Sequence, residues 1–476
     1  MNSDTAELAI LDTASELAAP FRAPASGSGG AGSVRGRWSR LRADPARMAA
    51  LSDSWRALWS SRLLVWLAGA GTVAAVGFGP VRNAFNPPGV TRGFGWLGDI
   101  LAAPAARWDS SWYLVIAHFG YRPDLGSFTS SRTAFFPLYP LGLHVIAMSG
   151  VPPVLAGVLL SLLALSLSLY GIHRLTTLEL SLASPAGIPH PSGREVARLA
   201  VLITAFAPMA FYFSAVYSES LYLALSVGLF WCARHGRWAA AGALGALAAA
   251  TRSAGVVLLV PALILYLYGP RQDRAPDFAP ARFGRLRYRL RGDILWLLMV
   301  PAGLALYLAY LAVSGGEGLM PFHAQDVWGR HFAGPYLGVW DGLKAAFEGA
   351  RQLLSFQRSH AYFPSAGGSA FVDAGHNLML LAFLLAAVPA IVGVLRRLPL
   401  AYGVYVLAAL ALPLSYPVAP QPLMSLPRFL VVLFPLSMWL AVWLAAHPRA
   451  QRPALAVSAL LMAFFVAQFA TWHWVA

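Results

Sequence analysis

The sequence is poor in charge, cysteine and lysine. Only 12% of its 476 residues are charged, whereas a soluble protein carries about 25%. The single Cys232 excludes an internal disulfide and a cysteine metal cluster. There is no Asp-x-Asp pair, no GxxxxGK[ST] phosphate loop and no His-Glu-x-x-His motif. If the chain is a transferase, we therefore do not expect a cytosolic nucleotide sugar as its donor.

Long apolar runs dominate what is present. Hydrophobic residues make up 58% of the chain, and runs of about 20 apolar residues are typical of membrane-spanning helices. We predict an all-α polytopic membrane protein with about eleven transmembrane helices. The predicted spans are about 63–81, 152–173, 199–217, 219–233, 238–251, 255–269, 294–314, 376–395, 399–416, 427–446 and 454–474.

The topology depends on the apolar segment 134–149. It contains Pro137 and Pro140 and is shorter than the roughly 20 residues that a span needs. If it does not cross, the arginine clusters between later spans lie on the same side as the basic N-terminal region. Because positive charge favours the cytoplasmic side, we expect an interfacial or re-entrant segment. The N-terminus is then inside, the C-terminus outside, and the loops at about 82–151 and 315–375 lie outside.

Two regions differ in composition. Residues 1–57 are rich in Ala, Ser, Gly and Arg, which predicts a disordered cytoplasmic tail. Residues 58–476 form one predicted membrane domain. The bias towards Arg and Ala is typical of a GC-rich bacterial genome, so we expect a multi-pass bacterial plasma-membrane protein. The excess of Arg fits span orientation and does not require nucleic-acid binding.

The stretch from Arg107 to Tyr121 carries the first candidate for chemistry. Read as a helix, it has an apolar stripe that includes Trp108 and Trp112, with Asp109 at the edge of the stripe. A helix on the membrane surface would hold this carboxylate at the water–lipid boundary, where it could take a proton from a hydroxyl. The alternative is a tryptophan-anchored loop helix with a solvated Asp109.

Other charges interrupt apolar runs. Arg252 would be costly there without an anion, and its planar guanidinium suits a phosphate. A structural ion pair with Glu219 is the alternative reading of both residues. Arg428 is a second candidate for the phosphate or an interfacial snorkelling arginine. In the second outer loop, the stretches 329–332 and 340–341 line a cleft or lie in a solvated loop.

Five stretches occur in an order that resembles the PIG-V family, the GPI mannosyltransferase II enzymes, over about residues 60–270. A sixth stretch, Ser425-Leu426-Pro427-Arg428-Phe429, resembles the bacterial branch of that family. The five are Arg107-Trp108-Asp109, His118-Phe119-Gly120-Tyr121, Ala134-Phe135-Phe136-Pro137-Leu138-Tyr139-Pro140, Tyr217-Ser218-Glu219-Ser220-Leu221 and Thr251-Arg252-Ser253-Ala254-Gly255.

The resemblance implies a GT-C glycosyltransferase with its site on the outer face. It implies an inverting transfer of a sugar, mannose above all, from a polyprenyl-phosphate donor to a hydroxyl of a lipid or protein acceptor. Asp109 occupies the place of the family's acidic residue in the first outer loop, so we expect it to be the general base. No metal or other cofactor is expected, because arginine can hold a departing phosphate monoester. The expected substrate-binding residues are Arg107, Trp108, Tyr113, His118, Tyr121, Tyr139, Glu219, Arg252 and Arg428.

Two other function classes stay open. A lipid or glycolipid transporter or flippase also uses buried Arg and Glu in its spans. A membrane scaffold without chemistry could keep the same fold. The large outer loops and the lack of an internal repeat favour the enzyme over the transporter.

The charge pattern predicts which loops face the cytoplasm. Single cysteines placed in loops 175–197 and 270–291 should be shielded from an impermeant thiol reagent in intact cells, because positive loops stay inside. A cysteine in loop 315–375 should react and is the control. Labelling of the first two sites from outside would reverse the topology.

Overall fold

The computed structural model describes residues 44–79, 95–121, 129–181, 193–278, 286–314, 317–356 and 369–475, and the regular elements in these ranges are helices. The chain divides into two units, Met1–Met48 and Ala49–Ala476. Of the predicted tail, residues 1–43 lie outside the described part. The tail prediction is wrong for residues 45–57, which are helical. Pro45 suits a first helical position, and alanines that favour helix follow it.

The helices are labelled here in chain order. They are α1 (Pro45–Val76), α2 (Gly95–Leu101), α3 (Ser110–Phe119), α4 (Thr129–Arg132), α5 (Leu138–Ala147), α6 (Pro153–Ser181), α7 (Gly193–Phe206), α8 (Glu219–Arg234), α9 (Trp238–Ala249), α10 (Leu259–Tyr268), α11 (Met299–Ser314), α12 (Met320–His323), α13 (Pro335–Ser355), α14 (Ala370–Arg397), α15 (Leu400–Leu414), α16 (Leu426–Val431), α17 (Phe434–Ala446) and α18 (Pro448–Ala470).

Short 3₁₀-helices connect or extend several of these helices. They cover Ala103–Ala105, Ala210–Ser214, Ser253–Leu258, Gly292–Leu298 and Ala324–Trp328.

Within the described residues, five helices are long and apolar enough to cross a membrane, which supports a membrane protein. The five are Pro45–Val76, Pro153–Leu180, Gly292–Ser314, Phe371–Arg397 and Pro448–Ala470. The remaining apolar helices have 10–17 residues, so a count of eleven continuous spans is not confirmed.

Two predicted spans are broken helices. In the predicted span 199–217, α7 ends at Phe206 and a 3₁₀-helix follows from Ala210. Pro208 lies in the gap, and a proline lacks the N–H that a continuing helix would need. The predicted span 427–446 likewise divides, with α16 ending at Val431 and α17 starting at Phe434. These breaks place charged side chains inside the bundle.

The segment 134–149 forms the ten-residue helix α5. A helix of ten residues is about 15 Å long, half of the hydrocarbon core of a bilayer. Its first residue contacts the end of α9, because the Leu138 N–H donates to the Ala250 carbonyl at 3.0 Å. The prediction that this segment does not cross stays a prediction, and its helical length agrees with it.

Helix α8 lies at the centre of the packing. It contacts α6, α9 and α10, while α7 packs between α6 and α17. The fully buried Arg62 of α1 satisfies the broken end of α7, since it donates to the carbonyls of Ala205 and Ala210 and to the Ser214 hydroxyl at 2.8–2.9 Å. Arg62 thereby fixes the turn that leads into α8.

Helix α13 approaches α15 very closely. A Cβ added to Gly338 would lie 1.9 Å from the Leu414 carbonyl oxygen, so only glycine fits there. This contact holds α13 against α15.

Candidate active site

Four charged side chains meet where helices begin or break. Asp109 precedes α3, and Glu219 is the first residue of α8. Arg252 precedes the 3₁₀-helix Ser253–Leu258, and Arg428 lies in the six-residue α16. Residues 319 positions apart in the chain, Asp109 and Arg428, are thus brought into contact.

The four side chains form a ladder of alternating charge. Arg428 Nη1 donates to Asp109 Oδ2 at 2.7 Å, and Arg428 Nε lies 2.8 Å from Glu219 Oε1. Arg252 Nη1 donates to the same Glu219 oxygen at 2.9 Å. The ion pair between Glu219 and Arg252, which is the alternative interpretation of these residues in the sequence, is therefore present. Arg428 connects this pair to Asp109.

Burial makes this ladder energetically demanding. The exposed fraction of the side chain is 0% for Glu219, 12% for Arg252, 9% for Arg428 and 18% for Asp109. Charges so far from water need partners, and two carboxylates balance two guanidinium groups. The pairing is incomplete, because Glu219 Oε2 has no hydrogen-bond partner within the described structure and the Arg428 Nε–H is not aligned on Glu219.

Aromatic rings hold the two arginines. The Arg428 guanidinium lies 5.2 Å from the ring centre of Tyr217, and that of Arg252 lies 5.3 Å from the ring of Phe429. Such cation–π contacts strengthen when the cation is shielded from water. They orient each planar group without using its N–H donors.

The backbone before Asp109 is strained. Trp108 has a φ of +54°, a conformation that bulky residues rarely adopt. Its ring packs edge-on against Trp472 and Trp474 from the C-terminal segment. The Tyr217 hydroxyl accepts from the Asp109 N–H at 3.2 Å, which fixes the next residue. The Asp109 carboxylate does not cap α3, and it binds Arg428 instead.

A cavity of about 270 Å³ adjoins the ladder. Asp109, Arg252 and Arg428 line it, while the fully buried Glu219 lies behind them. Its other lining is mostly aromatic and aliphatic. These residues include Phe135, Phe136, Phe322, Trp328, Leu412, Phe429 and Trp474. The cavity can therefore take a ligand with an anionic group and an apolar body.

Tyr113 is a predicted substrate-binding residue in α3, and it is buried. It lines the cavity, and its hydroxyl shares a hydrogen bond with the Ser218 hydroxyl at 3.0 Å. Burial, followed by the negative charge of Glu219, raises the pKa of Tyr113 to about 12. The phenol therefore stays protonated at neutral pH and can donate a hydrogen bond.

Arg107 and Trp108 do not line the cavity. Arg107 is buried, donates to the Ala470 carbonyl at 3.1 Å and lies over the Trp472 ring at 4.7 Å. Both residues clamp the loop onto the C-terminal segment. The substrate contact expected for Arg107 and Trp108 stays a prediction.

Three further predicted residues also lie outside the cavity lining. His118 is exposed, on the part of α3 away from Asp109. The Tyr121 hydroxyl donates to the Phe135 carbonyl and so holds a residue of the cavity wall. Tyr139 is buried, and its hydroxyl binds the Ser161 hydroxyl at 2.8 Å. None of the three lines the cavity.

The second outer loop and the C-terminal segment supply residues that the sequence did not assign. Gln325 and Trp328 line the cavity from the 3₁₀-helix Ala324–Trp328, and Arg330 follows them. Arg330 belongs to the stretch 329–332, and its place in the cavity wall favours the cleft interpretation of that stretch. Trp474 gave no signal, because nothing in its local pattern differs from an interfacial tryptophan.

Within the described ranges, no group of three His, Cys, Asp or Glu side chains is placed to hold a metal ion.

The fold and site define a helical membrane protein with a charged, partly aromatic cavity at broken helix ends. Residues 83–265 match the family model of Mannosyltransferase (PIG-V). This match confirms the resemblance to the PIG-V family over these residues and supports glycosyltransferase activity. Neither a curated protein nor a solved structure matches the chain.

The ladder predicts unequal stability losses for its two carboxylates. Glu219→Gln leaves two buried guanidinium groups without their shared anion, and breaking a buried ion pair commonly costs about 3–5 kcal/mol. Asp109→Asn is the matched control, since its site is more exposed and Arg428 keeps Glu219. Thermal unfolding in one detergent should show the larger drop for Glu219→Gln. An equal or smaller drop would mean that the ladder does not stabilise the fold.

Proposed function

We propose that this protein is an inverting GT-C mannosyltransferase that uses a polyprenyl-phosphate mannose on the outer face of a bacterial plasma membrane. Mannose moves to a hydroxyl of a lipid or protein acceptor. The observation that carries the proposal is the position of Asp109, a partly exposed carboxylate at the cavity wall beside two buried guanidinium groups.

The cavity lining favours an anionic, lipid-linked donor. Arg252, Arg330 and Arg428 line it against one carboxylate, Asp109. A guanidinium matches the geometry of phosphate oxygens and stays charged. The aromatic and aliphatic wall suits the first prenyl units, which supports a polyprenyl phosphate over a nucleotide.

The chemistry is one displacement. Asp109 accepts the proton of the acceptor hydroxyl as its oxygen bonds to the anomeric carbon from the face opposite the phosphate. The bond from that carbon to the phosphate oxygen breaks, and its electron pair leaves with the lipid phosphate. Arg252 and Arg428 stabilise the negative charge that develops there. Attack from the opposite face inverts the anomeric centre.

Arg428 couples the donor to the base. Its Nη1 donates to Asp109 Oδ2 at 2.7 Å, so this carboxylate oxygen is already occupied by a hydrogen bond. A donor phosphate offers Arg428 a second anion in the same cavity. We expect Arg428 to turn towards the phosphate, which frees Asp109 after the donor has bound.

Glu219 has a positioning role in this scheme. It is fully buried and contacts both arginines rather than the cavity. Its charge holds two like-charged groups side by side, where they can meet one phosphate.

Asp109→Asn tests the base directly. The variant keeps the size of the side chain and loses the proton acceptor, so turnover should fall by about 10²–10⁴-fold. Donor binding should be at least as tight as in the wild type, because Arg428 no longer pairs with a carboxylate at position 109. Glu219→Gln should lose less activity per folded molecule. The rate of mannose transfer from a labelled polyprenyl-phosphate mannose is the readout.

Asp326→Asn is the control for this test, because that residue is exposed in the second outer loop and does not line the cavity. Full activity of Asp109→Asn would remove the base assignment. If Glu219→Gln were the inactive variant, proton transfer would belong to Glu219.

Arg252→Lys tests the phosphate contact. Lysine keeps the charge but loses the planar donor fork. A hydrogen bond to a charged group is worth about 1.5–3 kcal/mol, so the Kd for a short-chain polyprenyl phosphate should rise roughly 10–100-fold. Arg351→Lys, on the exposed side of α13, is the control. If Arg252→Ala bound the polyprenyl phosphate as tightly as the wild type, Arg252 would not contact the phosphate. Its role would then be the ion pair with Glu219.

A further inference from the structure

Helix α13 (Pro335–Ser355) does not line the cavity described above, and it lies outside the family match. Four of its 21 residues are charged, namely Asp341, Lys344, Glu348 and Arg351. Charges are rare in transmembrane helices because each is costly there, and α13 is not one of the five candidate spans. What surrounds this helix therefore needs an explanation of its own.

The inward face of α13 is a stripe of small residues. Its members are Gly338, Gly342, Ala346 and Gly349, and all four are buried. A Cβ added to Gly349 would lie 2.8 Å from the Ala374 carbonyl oxygen, near the start of α14. Together with the contact of Gly338 with the end of α15, this close approach fixes which face of α13 points towards the protein.

These contacts place α13 beside the end of a candidate span. Helices α14 and α15 are joined by a short connection between Arg397 and Leu400, so the start of α14 and the end of α15 lie towards the same end of the pair. The span Phe371–Arg397 carries Arg396 and Arg397 at its other end. Because positive charge favours the cytoplasm, α13 lies at the end predicted to face outwards.

A second stripe of α13 is apolar and exposed. It consists of Tyr336, Trp340, Leu343, Phe347 and Leu354. Successive members are three, four or seven positions apart, which places them on one face of the helix. Phe347 is 67% exposed and Leu354 is 83% exposed. An exposed apolar stripe of this length is typical of an interaction surface.

The cations of α13 lie next to this apolar stripe. Lys344 follows Trp340 by four positions, and Arg351 follows Phe347 by four, so each cation neighbours an aromatic residue on the helix surface. The Lys344 ammonium nitrogen lies 5.4 Å from the centre of the Trp340 ring. Long basic side chains at such an edge can cover apolar surface while their charge stays among polar groups.

The carboxylates of α13 lie further from the apolar stripe. Asp341 and Glu348 each follow an aromatic residue of the stripe by one position, which turns them by about 100° around the helix axis. The cations are turned by only about 40° in the same direction. The order around the helix is therefore apolar, cationic and anionic. A lipid surface favours this order, because its phosphates lie beside the acyl region.

A second helix is the other partner that such a stripe could take. Paired helices carry charges on both flanks of their apolar seam. In α13 one flank is charged, whereas the other consists of the half-buried apolar residues Val339 and Ala350. This asymmetry favours lipid over a second copy of the chain.

We propose that α13 docks its apolar stripe into the bilayer leaflet at the outward end of α14, with Lys344 and Arg351 against the lipid phosphates. The second outer loop is then held on lipid instead of being solvated. Trp328 and Arg330 shortly precede α13 and line the first cavity, so the docked helix keeps their wall close to the bilayer. The inference does not depend on the transfer reaction.

Spin-label accessibility tests the docking. Single cysteines would replace Phe347 or Glu348 in a Cys232→Ser background, with the full-length protein in nanodiscs of phosphatidylcholine and phosphatidylglycerol. A nitroxide on Phe347→Cys should collide more with oxygen, which concentrates in lipid, than with a water-soluble nickel chelate. Its depth should be about 5–10 Å into the boundary between headgroups and acyl chains.

Glu348→Cys is the matched control, because this exposed position is adjacent in sequence and lies on the polar side of the helix. Its label should collide more with the nickel chelate. Leu343→Cys repeats the test on the apolar stripe, and all variants should keep the melting temperature of the Cys232→Ser protein.

The depth of the Phe347→Cys label also tests the cations. The added pair Lys344→Gln and Arg351→Gln should make the label shallower, because the helix loses its attraction to the phosphates. The control pair Asp341→Asn and Glu348→Gln removes two charges from the far edge and should not make the label shallower.

Three outcomes would overturn the assignment. Greater collision of the Phe347→Cys label with the nickel chelate than with oxygen would place the stripe in water. Shielding of the label from both reagents would place it against protein, and spin–spin broadening would identify that protein as a second copy. An unchanged depth after the loss of both cations would remove the contact with lipid phosphates.

Discussion

Burying four charges in a membrane protein is the constraint on which the structure of the site depends. Asp109, Arg428, Glu219 and Arg252 lose most of their hydration, so each must meet an opposite charge. The chain satisfies this by breaking its helices. In a continuous helix, side chains would be distributed around the helix axis at a regular spacing. The breaks after α7 and α16 instead allow several helix ends to meet at one point. The fold is therefore less regular where the chemistry is placed.

Contacts far apart in the chain support this arrangement. Arg62 in α1 satisfies the carbonyls at the end of α7, and the segment after α18 clamps Trp108 next to Asp109. The site is consequently built from the first helix, the two loops predicted to lie outside, and the last helix together. Three of the four ladder residues, Asp109, Glu219 and Arg252, lie within the PIG-V match. Arg428 and the cavity residues Gln325, Trp328 and Arg330 lie outside the match.

Composition and apolar runs were enough to predict a helical membrane protein, and ordered motifs were enough to predict its family. They also identified the four ladder residues. Glu219, Arg252 and Arg428 are conspicuous because a charge in or beside an apolar run is costly, and Asp109 because it lies at the edge of an apolar stripe and in a family motif. They did not separate Arg107 or Tyr139 from true cavity residues, since a motif does not show which way a side chain points. Nor did they show the breaks at Phe206 and Val431, because periodicity does not distinguish one long apolar helix from two short ones.

Direct transfer is the most decisive measurement of the central claim. Purified protein would be incubated with a membrane lipid extract and labelled mannose, carried either by a polyprenyl phosphate or by a nucleotide diphosphate. The account predicts a new mannoside, with inverted anomeric configuration, from the polyprenyl-phosphate donor alone. Transfer only from the nucleotide sugar would contradict it. So would movement of an unchanged polyprenyl-phosphate mannose across a vesicle bilayer without any new glycosidic bond.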